Sequence, residues 1–281
     1  MVKLYSYELK TSSVKWPIRK GLILKWNDGW GEIAPLPGFS SETLEEAQEE
    51  ILSLLPNLAS AKPLLPSVQF GIDAASRPFS KEPLKIPLAL LNDPRPGFSI
   101  LKLKLGHLSI ENAVKHVKEF LGSYRLRLDC NRSWTLDQAL SFARHFSPSD
   151  FEYLEEPVSS FSELIRFSEL TGFPIAVDES VSQAPLDQIP TLKTIVIKPT
   201  VVGSLPSLDT PFVLSSAYES SLGLLQIARS YKRGSPPAGL DTFRFFEEDL
   251  LIPPLKAEQG FLSWPGNSGC PIDMSKLCLI A

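Results

Sequence analysis

Cysteine and histidine are scarce in this chain of 281 residues, which contains three of each. They are Cys130, Cys270 and Cys278, and His107, His116 and His145. The cysteines have neither the number nor the spacing of a disulfide framework or a zinc site. The histidines fall outside the ends of the predicted strands described below, so each is expected to be a surface or packing residue. A metal site in this chain would therefore be expected to use oxygen ligands.

Long apolar runs and an excess of charge of one sign are also lacking. No segment approaches the apolar length that spans a bilayer, and residues 1–10 contain no apolar stretch of the kind found in signal peptides. The net charge is −4 with no long basic or acidic run, which argues against nucleic acid or a membrane surface as a partner. No glycine-rich phosphate loop follows a predicted strand. These absences favour a cytoplasmic protein, monomeric or homo-oligomeric, that acts on a small molecule.

The first 85 residues have the pattern of a small α+β domain. Residues 22–33 predict a β-hairpin, because two strand-forming runs flank a turn at 27–29 that tolerates positive φ. A helix is expected to begin near Thr43, which forms a capping box with Glu46 and precedes an apolar stripe. A second, short helix is expected at 68–75.

From residue 86 to residue 242, short apolar runs alternate with stretches of helical spacing. These runs lie at 87–91, 100–105, 125–129, 151–155, 175–178, 194–198, 212–216 and, more weakly, 239–242. Repeated strand–helix alternation indicates a parallel sheet with crossover helices. About eight strands suit a closed α/β barrel, although periodicity alone leaves an open doubly wound sheet as the alternative. Residues 243–281 have proline pairs and little periodicity, and are expected to pack back on the first domain.

Charged residues stand at the ends of five successive predicted strands. They are Lys104, Asp129, Glu155, Asp178 and Lys198. Side chains two apart share a face of a strand, so Lys102 lies on the face of Lys104. In α/β barrels the carboxyl ends of the strands form the face that carries the active site. One polar strand end usually marks where the chain leaves the core, but five in succession predict a common site.

Three carboxylates at one site repel one another unless a cation lies between them. Asp129, Glu155 and Asp178 offer only oxygen ligands, which selects a hard metal such as Mg²⁺, with Mn²⁺ as a possible substitute. A lysine beside a second lysine and a divalent cation has a lowered pKa and can act as a base. The metal stabilises the oxyanion that forms when a proton leaves the carbon next to a carboxylate. The pattern therefore predicts proton abstraction from a small-molecule carboxylate substrate.

Five motifs surround these residues. They are Lys102-Leu103-Lys104, Leu128-Asp129-Cys130-Asn131, Leu154-Glu155-Glu156-Pro157, Val177-Asp178-Glu179-Ser180 and Ile197-Lys198-Pro199. As a set they resemble the enolase superfamily, in its muconate-lactonizing branch. Residues 29–40, 66–71, 127–134, 215–223 and 239–242 are similar to the o-succinylbenzoate synthase family of that superfamily. The resemblance implies a modified TIM-type (β/α)7β barrel at 86–242, with an N-terminal α+β capping domain at 1–85.

The resemblance also implies roles for the charged residues. Asp129, Glu155 and Asp178 would bind magnesium. Lys104 would be the base, Lys198 would face it across the substrate, and Lys102 would tune the base or contact the substrate. The family's reaction is the dehydration of 2-succinyl-6-hydroxy-2,4-cyclohexadiene-1-carboxylate to o-succinylbenzoate in menaquinone biosynthesis.

Seven further residues are weaker candidates. Those expected at the substrate are Phe39, Arg127, Ser215, Ser216 and Gly239, and those expected to support the ligands are Asn131 and Glu179. Arg127 is predicted either to pair with a substrate carboxylate or to be a buried partner of Glu155 or a neighbouring carboxylate. Phe39 is predicted to lie on a capping loop over the substrate, although Pro-Gly before serine is also common at helix entries. Strand alternation predicts that Glu179 points away from Asp178.

Other functions share parts of this pattern. An N-acylamino acid racemase or dipeptide epimerase of the same superfamily is the nearest alternative, because such enzymes also use lysines on both faces of the substrate. A cycloisomerase is a third possibility. A silent barrel kept as a scaffold is expected to have lost at least one charged strand end, and none is lost here. Residues 77–99 are short and proline-rich for the family, which is expected to trim the first barrel unit.

Overall fold

A computed structural model describes residues 1–179, 185–203, 212–267 and 269–281. Its strands are β1 (Val2–Lys10), β2 (Ile18–Trp26), β3 (Gly29–Ile33), β4 (Leu84–Pro87), β5 (Leu90–Leu91), β6 (Ile100–Lys104), β7 (Arg125–Asp129), β8 (Phe151–Glu155), β9 (Ile175–Val177), β10 (Leu192–Ile197), β11 (Phe212–Leu214), β12 (Lys256–Glu258), β13 (Phe261–Trp264) and β14 (Cys278–Leu279). Its helices are α1 (Leu44–Leu54), α2 (Pro66–Ala75), α3 (Ile110–Phe120), α4 (Leu136–Ala143), α5 (Phe161–Thr171), α6 (Pro199–Val202) and α7 (Ser221–Arg229). Within these residues, no helix has the length and apolar character that crossing a membrane requires.

The N-terminal part is an antiparallel sheet with two helices. The sheet runs β14-β1-β2-β3, so the C-terminal tail adds a strand beside β1. α1 begins at the capping box expected from the sequence: the Thr43 hydroxyl accepts a hydrogen bond from the Glu46 N–H at 3.2 Å, and the Glu46 carboxylate accepts one from the Thr43 N–H at 2.8 Å. A Cβ on Gly31 of β3 would lie 1.9 Å from the carbonyl oxygen of Gly71 in α2. Glycine at this position therefore lets the helix and the strand touch through their backbones.

The barrel is a seven-stranded parallel sheet, β5 to β11 in sequence order, and it is closed. Closure comes from residues 238–239, which bond to both edges. The Ala238 N–H donates to the Pro87 carbonyl at 2.9 Å, and the Ala238 carbonyl accepts from the Ala89 N–H at 2.9 Å. On the other side, the Gly239 N–H donates to the Leu214 carbonyl at 2.8 Å. These bonds complete an eight-position barrel and exclude the open doubly wound sheet.

The first and last barrel strands differ from the sequence expectation. Of the predicted strand at 87–91, Pro87 belongs to β4, which pairs with β13 in a separate small sheet, and only Leu90–Leu91 remains as β5. The last strand was expected at 239–242 but pairs at 238–239. Beyond it, the Asp241 carboxylate accepts the Leu91 N–H at 3.1 Å. A side chain takes the place of a backbone partner there, and the chain turns into a 3₁₀ helix at Asp241–Phe245.

Alternation along the strands separates the core from the barrel interior. Leu101 and Leu103 of β6 are fully buried in the large apolar core that also contains residues of the outer helices. The interior has its own smaller buried cluster, formed by Tyr153, Ala176, Val196 and Val213. Tyr153, Ala176 and Val196 have the same strand parity as the charged strand ends Glu155, Asp178 and Lys198. Val213 has the parity of Ser215, so the cluster forms the floor beneath the predicted site.

The buried carboxylate of Glu32 ties the N-terminal sheet to the barrel. It accepts hydrogen bonds from the Ser220 N–H at 2.9 Å, from the Ser220 hydroxyl at 2.5 Å and from the Gly223 N–H at 2.8 Å. The Tyr7 hydroxyl also donates to it. Ser220 and Gly223 stand at the N-terminus of α7, where unpaired N–H groups favour a negative charge. A residue of one part of the fold therefore caps a helix of the other.

Arg19 is a second buried connection between the two parts, with 1% of its surface exposed. Its guanidinium donates to the carbonyl oxygens of Ala34 at 2.8 Å, Pro35 at 3.0 Å and Tyr218 at 2.9 Å. Ala34 and Pro35 lead into the loop that carries Phe39, and Tyr218 follows β11. Arg19 therefore fixes two loops relative to each other, and both border the cavity described below.

Glu32→Ala is expected to lower the free energy of unfolding by about 2–4 kcal/mol, because it leaves several buried donors without an acceptor and removes the carboxylate that faces the N-terminus of α7. Chemical denaturation followed by circular dichroism measures this loss. The control is Glu49→Ala, at an exposed position of α1, which should change stability by less than about 0.5 kcal/mol. Equal stability of the two variants would show that Glu32 does not join the two parts.

Candidate active site

The five charged strand ends meet at one rim of the barrel. The register of β6, β7 and β8 sets Lys104 beside Asp129 and Asp129 beside Glu155. Asp178 and Lys198 come directly after β9 and β10. The structure thus brings together, at the carboxyl ends of the strands, the side chains that the sequence placed one strand–helix unit apart.

Lys102 lies between two of the carboxylates. Its Nζ is 2.8 Å from each carboxylate oxygen of Glu155 and 2.9 Å from Oδ2 of Asp129. Burial opposes the charge, but the attraction of Asp129 and Glu155 outweighs it and raises the pKa of Lys102 well above its ordinary value. Lys102 is therefore a fixed ammonium group, and the lowered lysine pKa expected from the sequence does not apply to it.

Lys104 is the most open of the three lysines. Its side chain is 36% exposed, compared with 15% for Lys102 and 12% for Lys198. Its Nζ is 3.0 Å from Oδ2 of Asp129 and 2.9 Å from Oδ1 of Asn131. Asn131 also donates its backbone N–H to Oδ1 of Asp129 at 3.0 Å. Asn131 therefore holds the lysine and the carboxylate in a fixed relation.

Lys198 faces β6 from the opposite side of the barrel, because β10 is four positions away in the closed sheet. Its ammonium group pairs with Asp178 and lies 4.5 Å from the centroid of the Phe39 ring. Burial opposes this charge too, but the attraction of Asp178 and Glu155 raises the pKa of Lys198. Phe39 thus reaches the site from the N-terminal part, at the place expected for a capping loop.

The carboxylates experience different electrostatic environments. Burial favours the neutral form of Asp129, but Lys102 and Lys104 outweigh it and hold the pKa of Asp129 below its ordinary value. Burial together with repulsion from Asp129 raises the pKa of Glu155 to about 7. The attraction of Lys102 and Lys198 therefore only partly offsets the effect of burial on Glu155.

Two glutamates adjoin the strand-end carboxylates. Glu156 is buried, and its Oε1 accepts the Asp178 N–H at 3.0 Å, which fixes the backbone next to the site. Glu156 is not among the residues predicted from the sequence to act at the site, although its position directly after a strand-end carboxylate is a usable signal. Glu179 borders the cavity. Burial together with repulsion from Asp178 raises the pKa of its carboxyl group. Its predicted orientation away from Asp178 stays a prediction.

The hydrogen-bond partners of Arg127 lie within the protein. Its guanidinium makes two hydrogen bonds to the Glu152 carboxylate, at 3.0 and 3.2 Å, and one to the Pro237 carbonyl at 2.8 Å. It also lies 5.3 Å from the centroid of the Tyr153 ring. Of the two roles predicted for Arg127, this geometry matches the buried partner of a neighbouring carboxylate, with Glu152 as that carboxylate.

Ser215, Ser216 and Gly239 form one wall of the site. Ser215 and Gly239 pair as a parallel bridge where the barrel closes. The Ser216 hydroxyl lies 2.9 Å from the hydroxyl of Thr242. All four residues border the cavity, so the three sequence candidates lie where a bound molecule would touch them.

A cavity of about 480 Å³ lies between the strand ends and the N-terminal part. Its floor includes Tyr153, Val196 and Val213, and Leu36 and Phe39 border it from the N-terminal part. The volume suits a small organic molecule. Four further residues at this cavity were not predicted from the sequence, because they lie on loops and follow no periodic pattern. They are Ser13, Lys15, Trp16 and Tyr218.

The donor chemistry at the rim fits a hard divalent cation. Asp129, Glu155 and Asp178 provide only oxygen ligands, and three ammonium groups stand beside them as monovalent counter-charges. The raised pKa of Glu155 shows that the buried negative charge is incompletely compensated. In the part of the chain that the structure describes, no three His, Cys, Asp or Glu residues are arranged to hold a metal as they stand. Lys102 occupies the space between two of the carboxylates instead.

Both parts of the fold match known families. Residues 1–79 match the model described as "MenC, N-terminal domain", and residues 92–186 match "Enolase C-terminal domain-like". The o-succinylbenzoate synthase of Pectobacterium atrosepticum is 36% identical, over 88% of this chain and 91% of that protein. The same enzyme of Yersinia enterocolitica is 37% identical, over 83% of this chain and 85% of that protein.

Solved structures share the architecture. An o-succinylbenzoate synthase from Thermosynechococcus elongatus, complexed with Mg in its active site, has a TM-score of 0.69 and 24% identity, over 89% of this chain and 94% of that chain. The L-Ala-D/L-Glu epimerase from Bacillus subtilis has a TM-score of 0.72 and 16% identity, over 100% and 99%. These likenesses confirm the predicted fold class, a TIM-type barrel with an N-terminal capping domain. On the identity and coverage of its relatives, the chain belongs to the o-succinylbenzoate synthase family of the enolase superfamily.

Proposed function

We propose that this protein is an o-succinylbenzoate synthase, which dehydrates 2-succinyl-6-hydroxy-2,4-cyclohexadiene-1-carboxylate in menaquinone biosynthesis. The observation that carries the proposal is the pair of lysine positions on opposite sides of a closed barrel, on β6 and β10, above three buried carboxylates. Family membership supplies the substrate. The cavity of about 480 Å³ has room for a substituted six-membered ring.

Lys104 is the proposed base. It is the most exposed of the three lysines, and its Nζ borders the cavity while Asp129 and Asn131 hold it from behind. Lys104 takes the proton from the carbon that bears the carboxylate. The carbon–hydroxyl bond then breaks, and the same lysine returns the proton to the departing hydroxide. Water leaves, and the two electrons left in the ring complete its aromatic system.

Lys198 and Lys102 keep their positive charges during this sequence. Lys198 stands across the cavity from Lys104, where a cation stabilises the negative charge that develops on the carboxylate of the substrate. Phe39 covers its ammonium group and keeps water away from it. Lys102 forms ion pairs with Asp129 and Glu155 and so holds in place the two carboxylates on β7 and β8, next to Lys104.

Asp129, Glu155 and Asp178 are the residues that would hold a divalent cation, with Mg²⁺ as the proposed metal and Mn²⁺ as a substitute. When bound, such an ion acts as a Lewis acid on the substrate carboxylate and lowers the cost of removing the neighbouring proton. The likeness to a synthase solved with Mg in its active site supports this proposal. Asn131, Glu156 and Glu179 are the residues that would orient the ligands from behind.

Epimerisation of an N-acylamino acid or a dipeptide is the second candidate. Lysines on opposite sides of one cavity can remove a proton from one face of a carbon and return it to the other. The structural likeness to an L-Ala-D/L-Glu epimerase fits this candidate as well. The identities of 36% and 37% to synthases favour dehydration.

Purified protein is expected to consume the cyclohexadiene carboxylate when Mg²⁺ is present and to stop when excess chelator is added. Loss of diene absorbance and formation of o-succinylbenzoate, measured by chromatography, report the reaction. Absence of turnover with Mg²⁺ would contradict the synthase proposal. Racemisation of N-succinyl amino acids by the same preparation, in place of dehydration, would establish the second candidate.

Lys104→Met is expected to reduce turnover by at least about a thousandfold, because the methylene chain remains while the base is lost. Circular dichroism should show an unchanged fold. Lys115→Met, at an exposed position of α3, changes the same charge away from the cavity and should retain full activity. Turnover of Lys104→Met near that of the unaltered protein would exclude it as the base.

Asp178→Asn is expected to weaken metal binding by roughly tenfold or more, because one of three anionic ligands becomes neutral. Titration calorimetry with Mn²⁺ and Mg²⁺ measures this directly, without reference to activity. The matched control is Asp187→Asn, at an exposed position. Equal affinity in both variants would remove Asp178 from the proposed ligand set.

A further inference from the structure

One cation at the cavity differs from the others. Five basic residues border it: Lys15, Lys102, Lys104, Arg127 and Lys198. Four of them pair with carboxylates of the barrel. In the described part of the chain, no carboxylate lies within ion-pair distance of the Lys15 ammonium group. Lys15 is therefore a positive charge at the cavity that the protein itself does not neutralise.

Local contacts hold Lys15 at the cavity. It lies in the turn between β1 and β2, where the Thr11 N–H donates to the Pro17 carbonyl at 2.9 Å and the Thr11 hydroxyl donates to the Trp16 carbonyl at 2.5 Å. The Lys15 Nζ lies 4.6 Å from the centroid of the Trp16 ring. A cation on an aromatic face loses part of its freedom, so less is lost when a ligand binds it.

Trp16 is itself anchored to both parts of the fold. Its ring lies 4.8 Å from the ring of Tyr218, which follows β11 of the barrel. Its indole N–H donates to the Pro37 carbonyl at 3.2 Å. Trp16 and Tyr218 therefore form an aromatic wall of the cavity, and Lys15 stands at the end of that wall.

The substrate of the proposed reaction carries two carboxylates. One is attached to the carbon that loses its proton, so it lies at the strand-end lysines. The other carboxylate is at the end of the succinyl chain and therefore lies apart from the carbon that loses its proton. A carboxylate that leaves water needs a new partner, because an uncompensated charge is costly in a cavity with apolar walls. The strand-end lysines and Arg127 already form ion pairs with carboxylates of the protein. Lys15 is therefore the basic residue at the cavity that can bind this second carboxylate.

We propose that Lys15 is a substrate-specificity residue that binds the terminal carboxylate of the succinyl chain, with the methylene groups of that chain against Trp16 and Tyr218. The inference rests on the proposed function, because the second carboxylate belongs to that substrate. It extends the site from the charged rim of the barrel to the turn between β1 and β2. Because Lys15 binds the end of the succinyl chain and not the carbon that loses its proton, it acts on binding and not on proton transfer.

The test measures binding affinity by calorimetry, with and without the Lys15 ammonium group in the protein and with and without the terminal carboxylate in the ligand. The ligands are o-succinylbenzoate and 2-butanoylbenzoate, which has a methyl group in place of the terminal carboxylate. Lys15→Met should weaken binding of o-succinylbenzoate by roughly two- to fivefold, as expected for an ion pair made by an exposed lysine. It should leave binding of 2-butanoylbenzoate unchanged. Lys15→Arg should bind both ligands as the unaltered protein does.

The control variant is Lys62→Met, which removes an exposed lysine away from the cavity and should bind both ligands normally. Equal losses for the two ligands in Lys15→Met, or no loss for either, would overturn the proposal. So would failure of the unaltered protein to bind o-succinylbenzoate. Turnover distinguishes the two levels of inference: an active protein with no ligand selectivity at Lys15 refutes only the role of Lys15, whereas an inactive protein refutes the proposed function.

Discussion

Mutual repulsion among Asp129, Glu155 and Asp178 is the constraint on which the rest of the site depends. The barrel brings their carboxylates to one rim because parallel strands end together, and burial removes the water that would screen them. Lys102 and Lys198 partly compensate that negative charge through ion pairs with these carboxylates. A divalent cation held by these carboxylates would add to the same balance, since burial still raises the pKa of Glu155. In the proposed function, metal binding and proton abstraction therefore depend on one cluster of charges.

The capping side of the cavity is organised by hydrogen bonds instead of charge pairs. Arg19 donates to backbone carbonyls on both sides of the cavity: those of Ala34 and Pro35 before the Phe39 loop, and those of Ala217 and Tyr218 in the loop after β11. Because both loops are tied to the same guanidinium, they keep a fixed distance from each other. Trp16 repeats this arrangement on the outer side, with contacts to Pro37 and to Tyr218. The cavity therefore has rigid walls on both sides of the charged rim.

Much of this arrangement could be predicted from the sequence, because it follows from periodicity and strand parity. The five charged strand ends and the barrel class are of this kind. The partners of Arg127 could not be predicted, since Glu152 and Pro237 meet it only after the barrel closes. Lys15 and Trp16 were missed because loop residues carry no periodic signal.

The cap that Glu32 places on α7 has a consequence for how such proteins can be recombined. Its negative charge and the free N–H groups of Ser220 and Gly223 lie in different parts of the fold, and each is buried only in the presence of the other. A barrel taken from one relative and an N-terminal domain taken from another would form a stable chimera only if both halves of this contact were inherited together. A substitution at Glu32 therefore leaves donors of the barrel without a partner, and a change at the start of α7 leaves the carboxylate without its donors.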